Sequence, residues 1–265
     1  SRSIAPSVGT DSGSFVPTGN ALVLSSDYAD ANLTLTNAID LGGAQREVRV
    51  FDGSAAVDGT LSGNLTNGGL VKTGAGTLNL SGTNTYAGAL RGNIAGSPTL
   101  GLAGGVRELT GDYTGSLGTG AGPVRWTGDG GFSASGGDRT VRINNSTSAV
   151  AWNSTNFVAD GSALVLGSNS ASNTLIWDSG LDLAGGNRTI RVLDGADAED
   201  ARLNRAVSNG SLTVAGAGRL DSVVANTLAG TVTVSGAEFR LRSSGTLASV
   251  TGITVDQGGT FTMDN

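Results

Sequence analysis

The chain has 265 residues, of which 38% are hydrophobic and only 14% charged, with a formal net charge of -6. That is enough apolar side chain for a core, and it carries neither the charge-rich signature of disorder nor the basic stripe that nucleic acid requires. Cys and His are both absent, which removes thiol redox chemistry, catalytic dyads and triads built on either residue, and the usual zinc and copper sites.

The glycines, 44 against 4 prolines, punctuate structure rather than mark low complexity. At the start, "SRSIAPSVGT" at 1–10 lacks the basic and apolar regions of a signal peptide. No apolar run reaches the roughly 18 residues of a membrane helix, so no transmembrane segment is expected. "FVPTGNALVL" at 15–24 and "DLGGAQREVRVFDG" at 40–53 return as "FVADGSALVL" at 157–166 and "DLAGGNRTIRVLDG" at 182–195. One long unit therefore occurs twice, 15–53 resembling 157–195, with the same offset at every matched position. "SGGDRTVRIN" at 135–144 is a partial third copy lying between the two matching segments. Read as four steps from the first copy, two from the last and six in all, these spacings predict a solenoid coil of roughly 23–25 residues.

Within each step the pattern is that of strands. "ALVL", "TLNL", "RTVRI", "RTIRV", "SLTV" and "TVTV" alternate apolar with small polar residues between Gly, Asn, Asp and Ser. In "RTIRV" this places Ile190 and Val192 on one face and Thr189 and Arg191 on the other. The expected architecture is all-β: a single continuous right-handed parallel β-helix over 1–265, with about three short strands per coil. About eleven coils at roughly 4.8 Å each predict a rod near 50 Å long.

The stretch "GGLVKTGAGTLNLSGTNTYAGAL" at 68–90 resembles the autotransporter-associated β-strand repeat, also called the passenger-associated transport repeat. Its pattern L-x-K-x-G-x-G-T-L-x-L-x-G-x-N-x-Y-x-G is filled by Leu70, Lys72, Gly74, Gly76, Thr77, Leu78, Leu80, Gly82, Asn84, Tyr86 and Gly88. "SLTVAGAGRLDSVVANTLAG" at 211–230 is a degraded version without the Lys and Tyr, and "GTLASVTGITVDQGGTFTM" at 245–263 resembles looser accompanying repeats. The resemblance implies an extracellular parallel β-helix of large bacterial surface proteins, placed outside the cell or on its outer surface. It brings no catalytic residue and no cofactor.

Several groups could carry a function. Asp194, Asp197, Glu199 and Asp200 offer oxygen ligands for calcium, against a solvated corner loop. Arg46, Arg139 and Arg188 precede matching strands, while Arg49, Arg142 and Arg191 face outward from them. The outward set reads as a guanidinium face for an anionic surface glycan, or as solvated and corner-bonded side chains. Trp126, Trp152 and Trp177 are sugar platforms or, inside apolar strands, packing residues. Asp178 and Asp182 are the nearest pair for polysaccharide hydrolysis. Asn-x-Ser/Thr sequences at Asn32, Asn64, Asn145, Asn153 and Asn187 are expected by composition alone.

By the offset between the copies the chain begins within a unit, and it stops on the strand-like "GGTFTMDN". Neither end carries a capping pattern, so its partner is expected to be another copy or the rest of a longer array. The expected function is structural and non-enzymatic, as a stalk, coat or fibre segment. Adhesin-like binding of glycan or matrix is the alternative, and a polysaccharide-degrading enzyme on a β-helix comes third.

Overall fold

A computed structural model describes residues 16, 19–63, 65–80, 84–85, 94–95, 100–103, 106–118, 123–126, 128–169 and 171–264. Among them the alternating segments are strands, the one short helical element is a 3-10 turn at Ile143–Asn145, and there is no α-helix. The chain is a parallel β-solenoid. Apart from Asn84–Thr85, which pairs with the next strand Ile94–Ala95, each strand pairs, in parallel, with the strand one coil away rather than with its sequence neighbour.

The spine is a ten-stranded parallel sheet, the long sheet. It runs from Leu33–Leu35 through Gly59–Leu61, Leu78–Leu80, Val106–Leu109, Gly130–Ala134, Ala163–Leu166, Asn187–Val192, Ser211–Gly216 and Thr231–Ser235 to Gly252–Val255. An early sheet of five strands, Leu22–Leu24 to Val124–Trp126, forms a second side of the first coils. In the later coils a six-stranded late sheet, Arg139–Val141 to Thr260–Asp264, and a three-stranded short sheet, Val150–Ala151 to Val207–Ser208, take up the other sides.

Register turns the strand alternation into columns along the axis. Leu164, Ile190, Val214 and Val234 pair one above another and are fully buried, while Thr189, Thr213, Thr233 and Thr254 form a column on the opposite face. Val106–Leu109, Gly130–Ala134 and Ala163–Leu166 depart from the alternation, being buried on both faces.

Coils differ in length more than a single step suggests. Gly59 pairs with Leu78 across a short coil, whereas the coil that brings Phe132 to its partner Leu166 is nearly twice as long. Extra residues go to corners, where they leave the ladder intact. The offset between the two copies is correspondingly not six coils. Leu22–Leu24 lies in the early sheet but its counterpart Ala163–Leu166 lies in the long sheet, and Leu33–Leu35 of the long sheet has its counterpart Leu175–Trp177 in the late sheet. The second copy is thus five coils and one further side along, with its strand pairing unchanged: Leu22 faces Val48 as Leu164 faces Ile190.

The change of side occurs in the long coil between Phe132 and Leu166, and a chain of aromatic rings fills the core there. Tyr113 stacks on Phe132 at 4.9 Å, Phe132 meets Trp126 at 5.9 Å, and Phe157 contacts Trp126, Trp152 and Trp177 at 5.0, 5.8 and 6.2 Å. The early sheet ends here, and the backbone N–H of Trp126 donates to the carbonyl of Asn156, outside any strand. Phe157→Ala is expected to lower the urea midpoint of unfolding by the equivalent of about 3–5 kcal/mol, the largest loss for any single aromatic in this cluster; far-UV circular dichroism through a urea titration measures it.

Candidate functional site

The corner after Leu65–Thr73 shows what the patterned stretch does. Lys72 stands in the inward column of the early sheet, between Val48 and Leu102 and one coil further from Trp126. It is 1% exposed, and its Nζ donates to the carbonyls of Gly74 at 2.7 Å and Thr73 at 3.3 Å. The lysine folds back from the core to tie the turn that follows it, and Gly74 holds that turn at φ +79°. A Cβ on Gly74 would lie 2.2 Å from the carbonyl oxygen of Val50, so this corner sits directly on the coil below. Burial pulls the Lys72 pKa down from 10.5 to about 8, against the opposing fields of Asp58 and Asp52.

Asp58 completes the corner. Its Oδ1 accepts from Gly53 N–H at 2.7 Å and its Oδ2 from Thr77 N–H at 2.8 Å. In the second copy Asp200 repeats both bonds, to Gly195 N–H at 2.6 Å and Arg219 N–H at 2.7 Å. Both partners are displaced along the chain by the offset that separates the two copies. One buried carboxylate thus closes its own loop and holds the next coil. The same offset carries "GLVKTGAG" at 69–76 onto "SLTVAGAG" at 211–218, where Val214 takes the place of Lys72. Sequence reasoning missed this pair of stapling aspartates, although Asp-Gly-x-x-x-x-Asp recurs in both units at Asp52 to Asp58 and Asp194 to Asp200.

Of the calcium candidates Asp194, Asp197, Glu199 and Asp200, the last three have hydrogen-bond partners within the protein. Asp200 turns inward to its two N–H donors and burial raises its pKa. Glu199 is held by Arg202 at 2.6 and 2.5 Å and by Arg242 at 2.8 and 2.9 Å. Asp197 accepts from the Ala198 N–H. Among the described residues no three His, Cys, Asp or Glu side chains gather as metal ligands.

The remaining candidates are dispersed. Arg49 lies in the early sheet, Arg142 just after a late-sheet strand, and Arg191 in the long sheet, so they do not form one face. Each pairs with a carboxylate: Arg49 with Glu47 at 2.9 Å, Arg142 with Asp178, and Arg191 with Asp129 at 3.1 Å. Arg46, Arg139 and Arg188 bond corner carbonyls, those of Leu41, Ser135 and Leu183. Trp126, Trp152 and Trp177 are buried in the aromatic cluster rather than offered to a sugar. Asp178 accepts from Arg142 and Arg205, and Asp182 from Ala184 N–H and Asn209 Nδ2, so both carboxylates tie neighbouring segments together.

Two surface features emerge that no motif announced. On the late sheet, Arg202, Asp221, Arg240 and Thr262 pair in register. Asp221 is fully buried; desolvation pushes its carboxyl up, but the hydrogen bonds of Arg240 and Arg242 and the nearby Arg219 outweigh this and hold its pKa low. On the long sheet an open cleft of about 430 Å³ follows the solenoid axis. Val106, Val165 and Arg191 line it from the outward column in which Val106, Gly131, Val165 and Arg191 pair in that order, the valines almost buried and Arg191 exposed. Asp52 and Ala56 line one end, and Asp129 reaches in from the residue before Gly130–Ala134. Burial, with the fields of Asp58 and Asp27, raises the Asp52 pKa.

The family described as passenger-associated-transport-repeat matches residues 70–91, which hold Lys72, Gly74 and the corner above. Within that match, Gly82, Tyr86 and Gly88 lie outside the described residues. No curated protein and no solved structure matches the chain.

Lys72→Val is expected to fold, because Val214 occupies the equivalent place with no exposure. The unfolded chain keeps the Lys72 proton up to about pH 10.5 while the folded chain releases it near 8. Between those values the unfolded state binds more protons, so wild-type stability rises with pH relative to the variant, by about 3 kcal/mol across the window. Urea unfolding of both proteins at pH 7.5, 9 and 10.5 reads that difference. Asp200→Ala strands two part-buried N–H donors and is expected to cost about 1–3 kcal/mol, with no recovery on adding calcium.

Proposed function

We propose that the chain is a non-enzymatic structural segment of a bacterial surface or secreted protein, a rigid spacer of the autotransporter-passenger kind. The observation that carries this reading is the unbroken parallel ladder from Leu33 to Val255, whose candidate side chains are spent on holding coil to coil. Asp58, Asp200, Asp178 and Glu199 each bridge residues from different coils. The match at 70–91 supports the extracellular setting.

Stacking of a further coil, whether from another copy or from a continuation of the same array, is the interaction such a rod offers. Ile253 and Val255 continue the inward columns of Val232 and Val234, yet stand 45% and 47% exposed, and Met263 beyond Leu241 is 69% exposed. Another coil laid against them would bury these side chains.

Nine steps along the long sheet at about 4.8 Å predict a rod with an axial length of about 43 Å. Negative-stain electron microscopy with light scattering over a concentration series tests the reading. Rods of that length, joining end to end as concentration rises and remaining single in Ile253→Lys/Val255→Lys, are expected. Compact particles without a long axis would overturn the spacer reading, and a single species at every concentration would overturn self-association.

A further inference from the structure

We propose that the cleft on the long sheet binds a neutral, linear oligosaccharide lying along the solenoid axis, which goes beyond the spacer reading. The cleft is a formed concavity of about 430 Å³, within the ordinary range for small-ligand sites. Its polar groups are those that recognise vicinal hydroxyls: the carboxylates of Asp52 and Asp129, the amide of Asn169, the hydroxyl of Thr77 and the guanidinium of Arg191. Leu193, with the methyl groups of Ala55, Ala56 and Ala75, supplies the accessible aliphatic surface that the C–H faces of sugar rings need.

Two of the polar groups are held in place. Asp129 Oδ1 accepts from Ala163 N–H at 2.9 Å, and its Oδ2 pairs with Arg191 at 3.1 Å. Both side chains remain part-exposed, at 36% and 45%, so their remaining hydrogen-bonding capacity faces the cleft. A ligand would find them oriented, which lowers the entropic cost of binding.

The ligand class follows from charge and from the floor. Asp52, Asp129 and Arg191 sum to one negative charge, which repels polyanions such as nucleic acid and acidic glycans. The floor strands Val106–Leu109, Gly130–Ala134 and Ala163–Leu166 are paired on both sides, so no strand edge is available to an extended peptide. The floor column advances one strand spacing of about 4.8 Å per residue, so Val106 to Arg191 spans about 14 Å, room for about three sugar rings. Beyond Arg191 the same face continues as a hydroxyl surface, with Thr189, Thr213, Thr233 and Thr254 in register and Ser211 beside Thr231. A longer chain leaving the cleft would run onto it.

Isothermal titration of the full chain with cellohexaose, chitohexaose, xylohexaose and mannohexaose, and with hexagalacturonate as the anionic comparison, tests the proposal. At least one neutral hexasaccharide is expected to bind saturably. That affinity should fall at least tenfold in Arg191→Gln and in Ala56→Trp, which fills the cleft from an exposed position, with unchanged circular dichroism and melting temperature. Arg49→Gln on the early sheet should bind as wild type. If no neutral hexasaccharide binds, if the anionic one binds best, or if the well-folded Ala56→Trp protein binds as wild type, the assignment is overturned. The rod length and stacking measured by microscopy are independent of these outcomes.

Discussion

Every coil of this molecule meets the next at one strand spacing, about 4.8 Å, and that spacing governs what each position can hold. A side chain on a strand has the corresponding residue of the coil below and the coil above as its nearest neighbours. Apolar residues then succeed only in columns, as with Leu164, Ile190, Val214 and Val234. Backbone polar groups are satisfied coil to coil along the axis, so the fold needs neither helices nor disulfides to hold its strands. A misfit in one coil reaches both neighbours, which concentrates the structural demands on the corners.

The corners meet those demands with buried charge. Asp58 and Asp200 each accept two backbone N–H groups, one from their own loop and one from the coil above. Lys72 does the reciprocal task, donating from within the core to the carbonyls of its own turn. Burying an ammonium costs solvation, as its lowered pKa records. The second copy has Val214 there and keeps the turn, so the fold itself does not require the lysine. The aspartate is retained where the lysine is not, because a corner's N–H donors need an acceptor whether or not the column beneath it carries a charge.

The wide aromatic coil between Phe132 and Leu166 separates two regimes. Before it, the early and long sheets carry the chain; after it, the long, late and short sheets do. Rings of Trp126, Phe157, Trp152 and Trp177 fill a cross-section too broad for Leu and Val, and the chain leaves this coil one side further round. That rotation places Arg49 and Arg191 on different sheets, with Arg142 just beyond a strand of a third, and dissolves the face they would otherwise share. It also brings Asp129 and Arg191 together at the cleft, an arrangement that two in-phase copies would not produce.

Local conformation and its periodic character are legible in the order of residues alone. Alternation in "RTIRV" and "RTVRI" is enough to say which side chains turn inward, and the burial of Ile190, Val192, Val141 and Ile143 follows it. The passenger-associated transport repeat at 70–91 was likewise legible, because its Lys, Gly and Leu spacing belongs to one contiguous corner and strand. How long each coil is, which sheet each copy joins, and which distant side chains meet depend on the assembled fold. Corner loops absorb the difference between the short coil from Gly59 to Leu78 and the long one from Phe132 to Leu166 without disturbing the ladder, so sequence offsets do not convert into angular positions. Asp129 and Arg191 belong to coils two turns apart along the chain, yet their side chains meet at 3.1 Å, and nothing short of knowing the length of each coil between them could bring them together.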